Sequence, residues 1–216
     1  MINHTSTTIF TASLLYANSC SKSFMTNFID EINTIFDENI LVSNKTKELS
    51  PIIDECAKKI ISSLKNNGKL ILFGNGGSAA DAQHMAAELV GRFKIERSGI
   101  PAISLTTDTS IITSIGNDYN FDNIFSRQIE SLGTKDDVII AISTSGNSKN
   151  VINGVKSAKD QGIFVIGLSG KSNSKLKDMA DITINAPSDD TARIQESHRI
   201  IIHCLCQLIE NSVINP

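Results

Sequence analysis

Residues 69–89 read KLILFGNGGSAADAQHMAAEL. A short run of Leu, Ile and Phe without polar alternation is what a strand buried on both faces requires. It gives way at once to GNGGS (74–78), three glycines in five residues, and then to a segment of helical period. Strand, bare turn and helix make the unit from which a helix-covered parallel sheet is built. Glycine there admits positive φ and lets backbone N–H groups approach a ligand closely.

The unit recurs along the chain. Further strand candidates are 102–105 (AISL), 138–143 (VIIAIS), 164–169 (FVIGLS) and 181–185 (DITIN). Helical segments are expected at 78–91, 109–116, 120–131, 148–160 and 173–179, with a long final helix at about 191–213. Two more helices precede the sheet, at about 26–38 and 46–66, where Ile52, Ile53, Ala57, Ile60, Ile61 and Leu64 recur at helical spacing. The expected fold is α/β, a three-layer, doubly wound parallel five-stranded sheet with an N-terminal helical arm. Residues 1–24 have no clear period and are expected to be a poorly ordered extension, Met25 being a possible second start. Residues 25–216 are expected to form a single domain.

Composition narrows the function classes. The chain has 216 residues and a formal net charge of −3, which leaves no basic footprint for nucleic acid or an anionic membrane. No apolar run approaches the ~20 residues of a membrane span. The N-terminal segment lacks a basic n-region and is not read as a signal peptide. Cys20, Cys56, Cys204 and Cys206 form no CxxC pair, so reduced thiols in a cytoplasmic protein are expected rather than a disulfide framework.

A second strand also ends in a small-residue loop, STSGNS at 143–148. In an open parallel sheet, ligands gather beyond the carboxyl ends of the strands. Helix N-termini add unsatisfied N–H donors and partial positive charge. Ser143, Thr144, Ser145 and Ser148 add hydroxyls. Two such loops in one sheet describe a cradle of neutral donors suited to a phosphate monoester. The same residue types also cap helices and turn chains. Nucleotide loops fit poorly: GxxxxGK[ST] is absent, and Ala79 stands where the third glycine of GxGxxG would fall.

His84 and Glu88 stand at i and i+4 and so project from one helix face. On the final helix Gln195 and His203 are separated by a rise of about 12 Å and by ~80° around the axis. Two imidazoles, a carboxylate and an amide oxygen are a ligand set for zinc. The same groups serve as general acid and base near neutral pH. The alternatives are a solvated helix pair for His84 and Glu88 and a core histidine for His203. Asn117 and Asp118 fall between two expected helices, where they either make a turn or hydrogen-bond sugar hydroxyls. His198 has no assigned role, and Cys206 is read as packing.

The motifs GNGGSAADAQHMAAEL, TDTSIITSIGNDYNFDNIFSRQ, AISTSGNSKNV and RIQESHRIIIHCLCQLIE resemble the sugar-isomerase (SIS) family and, within it, the phosphoheptose isomerases. The resemblance runs from about Met25 to Val213. It implies substrate binding by Asn75, Gly76, Gly77, Ser78, Asn117 and Asp118, with Ser143, Thr144, Ser145 and Ser148 as the phosphate loop. It implies one zinc ion per subunit held by His84, Glu88, Gln195 and His203. Glu88 and His203 are then the acid–base pair, and Glu88 and Gln195 also touch substrate. The implied substrate is sedoheptulose 7-phosphate, isomerised to D-glycero-D-manno-heptose 7-phosphate through an enediol for lipopolysaccharide or capsule. The implied assembly is a homotetramer with sites near subunit interfaces. Ala192 and Ala79 depart from some family members, which carry Asp and His there. Other readings are a non-catalytic SIS-fold protein that binds the replication initiator, a sugar-phosphate-sensing module, and an isomerase of another sugar phosphate.

Overall fold

The computed structural model describes residues 28–170 and 173–214. The expectations for residues 1–24 and for Met25 lie outside them. The described chain falls into two compact units, one ending at Ile40 and one beginning at Leu41. Helix α1 (Phe28–Thr46) contributes to both. In the first unit, Phe28, Ile29, Ile32, Ile35, Phe36 and Ile40 are exposed on it.

The second unit is the predicted sheet. After a 3₁₀ turn at Lys47–Leu49, the order is α2 (Ser50–Lys65), β1 (Leu70–Gly74), α3 (Gly77–Val90), β2 (Ala102–Ser104) and α4 (Thr109–Asp118). A second 3₁₀ turn at Phe121–Asn123 precedes α5 (Ser126–Leu132), β3 (Val138–Ser143), α6 (Lys149–Asp160) and β4 (Phe164–Ser169). Then come α7 (Lys175–Met179), β5 (Ile182–Asn185) and α8 (Thr191–Ile214). All pairings are parallel, in the order β2-β1-β3-β4-β5.

Period-two alternation splits the strand side chains between two cores. Leu70 and Leu72 of β1, with Val138, Ile140 and Ile142 of β3, join Ile60 of α2, Met85 and Leu89 of α3, and Ile201 and Leu205 of α8. Ile71, Phe73, Ile139 and Ala141 face the other way, onto Ile129 of α5, Val151 and Val155 of α6, and Leu176 of α7. Helices α3 and α8 thus share one side of the sheet, which decides where the site can form.

Two sequence expectations are corrected. The segment 120–131 is not one helix, because Ile124 and Phe125 turn into the core, at 3% and 1% exposure, between the 3₁₀ turn and α5. Asn117 and Asp118 do not lie between helices. Helix α4 continues through them, Tyr119 N–H still bonding the Ile115 carbonyl, and stops at Asn120, whose backbone is extended at φ −171°.

Candidate active site

The GNGGS turn is built for close approach. Gly76 takes φ +54°, a conformation that side chains other than glycine adopt at a cost. Ser78 is buried in the first turn of α3. At Gly77 a Cβ would stand 2.5 Å from Gln195 Nε2. The missing side chain is therefore what lets the Gln195 amide of α8 lie against the N-terminus of α3.

The two loops that end β1 and β3 are joined by a reciprocal amide pair. Asn75 Nδ2 donates to Asn150 Oδ1 at 2.8 Å, and Asn150 Nδ2 donates to Asn75 Oδ1 at 2.8 Å. Asn150, in the first turn of α6, is buried. Sequence reasoning missed it, although a polar residue at the start of a helix beside a Ser/Thr loop was the available signal. In the second loop Ser143 and Ser148 hydroxyls stand 3.1 Å apart. The Ser145 hydroxyl accepts from Asn147 N–H, and the Thr144 carbonyl accepts from Gly170 N–H. Asn117 Nδ2 donates to Asp118 Oδ1, and both residues are exposed on the last turn of α4.

The chemical groups meet across α3 and α8. His84 Nε2 lies 2.8 Å from His203 Nε2 and 3.5 Å from Glu88 Oε1. Ligand atoms of His84, Glu88 and His203 all fall within 4.8 Å of one another. Each of the three is partly buried, so the cluster is shielded yet reachable. Burial, and then the nearby Arg199 cation, hold the His84 pKa below its ordinary value, against the opposing pull of Glu88. A neutral imidazole keeps the lone pair that a metal needs. Two imidazole nitrogens and a carboxylate, with the Gln195 amide on the same helix as His203, suit zinc or another divalent ion.

Beside this cluster, a cleft of about 350 Å³ is lined by Gly77, Ala80, Asp81, Ala192, Gln195 and Arg199 among others. Asp81 and Arg199 form an ion pair at 2.6 Å on it. Burial raises the Asp81 pKa, against Arg199 and the two histidines. Neither residue was singled out from the sequence; Asp81 precedes His84 by three residues and so shares its side of α3. His198 is buried, with Nε2 3.1 Å from the Ser169 carbonyl, and its burial depresses its pKa to about 4. It is a core histidine. Cys206 is fully buried among apolar side chains, and burial pushes its thiol up to about 12.

Comparison with known proteins places the chain in a family. The SIS domain family matches residues 31–170. A phosphoheptose isomerase of Helicobacter hepaticus is 52% identical over 180 residues, 83% of this chain and 92% of that protein. This chain belongs to the SIS family, in its phosphoheptose isomerase branch. The solved phosphoheptose isomerase GmhA of Neisseria gonorrhoeae superposes with a TM-score of 0.81 at 42% identity, covering 85% of this chain and 99% of that one. A phosphoheptose isomerase from Francisella tularensis gives 0.83 at 41% identity, covering 87% and 100%. The family fold, a five-stranded parallel sheet between helices, is the one found here. No helix among the described residues of this SIS-family chain is long and apolar enough to cross a membrane.

Proposed function

We propose that this chain isomerises D-sedoheptulose 7-phosphate to D-glycero-D-manno-heptose 7-phosphate in the cytoplasm, for heptose supply to lipopolysaccharide or capsule. The observation that carries this reading is the meeting of His84, Glu88 and His203 beside a cleft bounded by Gln195.

The aldose–ketose shift moves a proton between adjacent carbons and a second proton between their oxygens. A Glu88 carboxylate oxygen takes the carbon-bound proton from one carbon and returns it to the neighbour. His203 donates a proton to the carbonyl oxygen as the enediol forms and recovers one from the adjacent hydroxyl, through a ring nitrogen that is not bound to metal. The phosphate end is anchored by the hydroxyls and N–H groups of 143–148, and the sugar by Asn75, Gly76, Gly77, Ser78, Asn117, Asp118 and Gln195. Anchoring holds the reacting carbons in register and removes the entropic cost from the chemical step. His84, Glu88, Gln195 and His203 would hold one zinc ion per subunit, and that ion when bound would supply Lewis-acid stabilisation of developing oxygen charge.

Assembly as a homotetramer belongs to the same reading. The apolar side chains of Ile200, Leu208 and Val213 on α8 and of Phe28, Ile32 and Phe36 on α1 are exposed, and a symmetric assembly would cover such surface.

The test is incubation of the protein with sedoheptulose 7-phosphate, with and without chelator, followed by NMR of the products. Heptose phosphate formed only without chelator supports the whole reading. Absence of product in both samples, from a folded protein, favours a non-catalytic SIS-fold binding role.

A further inference from the structure

The segment 91–99 leaves α3 and returns to β2 without helix or strand of its own, yet one buried carboxylate ties it to α8. Glu210 is fully buried. It accepts from the N–H groups of Phe93 at 3.1 Å, Lys94 at 2.9 Å and Ile95 at 3.3 Å, and from Arg97 Nε at 3.2 Å. Burial alone would raise the Glu210 pKa. The N–H groups of Lys94 and Phe93 and the Arg97 charge outweigh it and keep the carboxyl ionised.

Arg97 completes the clasp. Its guanidinium donates to the carbonyls of Leu89 at 2.8 Å, Glu88 at 2.9 Å, and Gly91 and Ser98 at 3.1 Å each. The Glu88 and Leu89 carbonyls belong to the last turn of α3, where no further helical N–H is available to them. A cation there also opposes the negative end of the helix.

Both arms of the clasp reach the acid–base and metal set. Arg97 holds the backbone oxygen of Glu88 itself. Glu210 holds Phe93, whose ring lies against His203 with centroids 5.6 Å apart at 42°. His203 and Glu210 are about two turns apart on α8 and so lie on one side of it.

We propose that Arg97 and Glu210 are positioning residues, a buried clasp that sets Glu88 of α3 against His203 of α8. The proposal rests on the reading of His84, Glu88 and His203 as the metal-binding and proton-transfer set. Loosening the clasp leaves every ligand present but lets the two helices drift at the site, and metal affinity then falls as it does for other outer-sphere supports.

The experiment compares full-length wild type with Glu210→Gln and Arg97→Lys. Zinc affinity is measured by competition titration of metal-stripped protein, together with Tm, kcat and KM. A zinc Kd raised by about 10–100-fold, with kcat reduced and KM little changed, supports the proposal. A lowered Tm with zinc Kd and kcat unchanged well below that Tm overturns it, because the pair then serves stability alone. If either variant fails to fold, Phe93→Leu replaces them, since it keeps an apolar side chain beside His203 and removes only the ring. Weaker zinc binding in that variant supports the clasp, and unchanged binding overturns it. A wild-type protein that binds no zinc overturns the underlying site reading and the proposal with it. That failure shows in the wild type itself, whereas failure of the clasp shows only as the absence of a difference.

Discussion

His84 and His203, 119 residues apart in the chain, bring their Nε2 atoms to 2.8 Å. With no proton between them, both nitrogens turn lone pairs to one point, and Glu88 lies 3.5 Å from the same His84 nitrogen. His84→Ala and His203→Ala are each expected to weaken zinc binding by more than tenfold, since each removes a ligand rather than a ligand's support. Calorimetric titration of stripped protein checks this, and unchanged far-UV circular dichroism shows that the fold is intact. Wild-type affinity in both variants would place the metal elsewhere.

Glu88 is the group assigned the carbon-bound proton. Glu88→Gln keeps the shape and loses the base, so kcat for sedoheptulose 7-phosphate is expected to fall by about 10²–10⁴-fold. Thermal stability should hardly change, because the side chain is partly exposed and the buried core does not depend on it. Progress curves followed by NMR, with a melting curve of the same preparation, separate the two effects. Full turnover in the variant would remove Glu88 from the mechanism.

The amide pair Asn75–Asn150 links the two loops that hold the substrate in this reading. Asn150→Ala leaves the Asn75 amide without its partner and is expected to destabilise the protein by about 1–3 kcal/mol. At this chain length that corresponds to a Tm lower by roughly 2–4 °C per kcal/mol. KM should rise more than kcat falls, because the loops bind substrate and do not transfer its protons. A variant with wild-type KM would show that the loops hold their geometry independently of the pair.

His198 sets an acid limit on stability. Its folded pKa of about 4 lies below the ordinary 6.5, so the unfolded chain binds the proton more readily. The corresponding stability is present above pH 6.5 and declines as pH falls towards 4, by up to about 3 kcal/mol in all. Urea unfolding at pH 7 and pH 5 measures the decline. His198→Leu should flatten this part of the profile, at the expense of the hydrogen bond to the Ser169 carbonyl. An equally steep profile in the variant would assign the pH dependence to other groups.

The strands were legible because a sheet buried on both faces demands unbroken apolar runs, and 70–74, 138–143 and 164–169 stand at the predicted positions. The start of α3 was legible from the glycines that open it, and the pairing of His84 with Glu88 from their spacing. Helix ends were less so. Asp108 caps α4 by accepting from Ile111 N–H, but the other end of that helix is set at Asn120, by Ile124 and Phe125 turning inward after it. Their burial is a tertiary event with no local signal.

The amino-acid sequence alone determined the parallel sheet, the bare phosphate-type loops and the presence of metal-compatible side chains on two helices, because periodicity and glycine act over a few residues. Only the tertiary structure decided that α3 and α8 lie on the same side of the sheet, so that His203 reaches His84, Gln195 reaches Gly77 and Glu210 reaches Arg97. Those contacts span roughly a hundred residues of chain or more. They exist because the apolar faces of α3 and α8 must cover one common set of strand side chains.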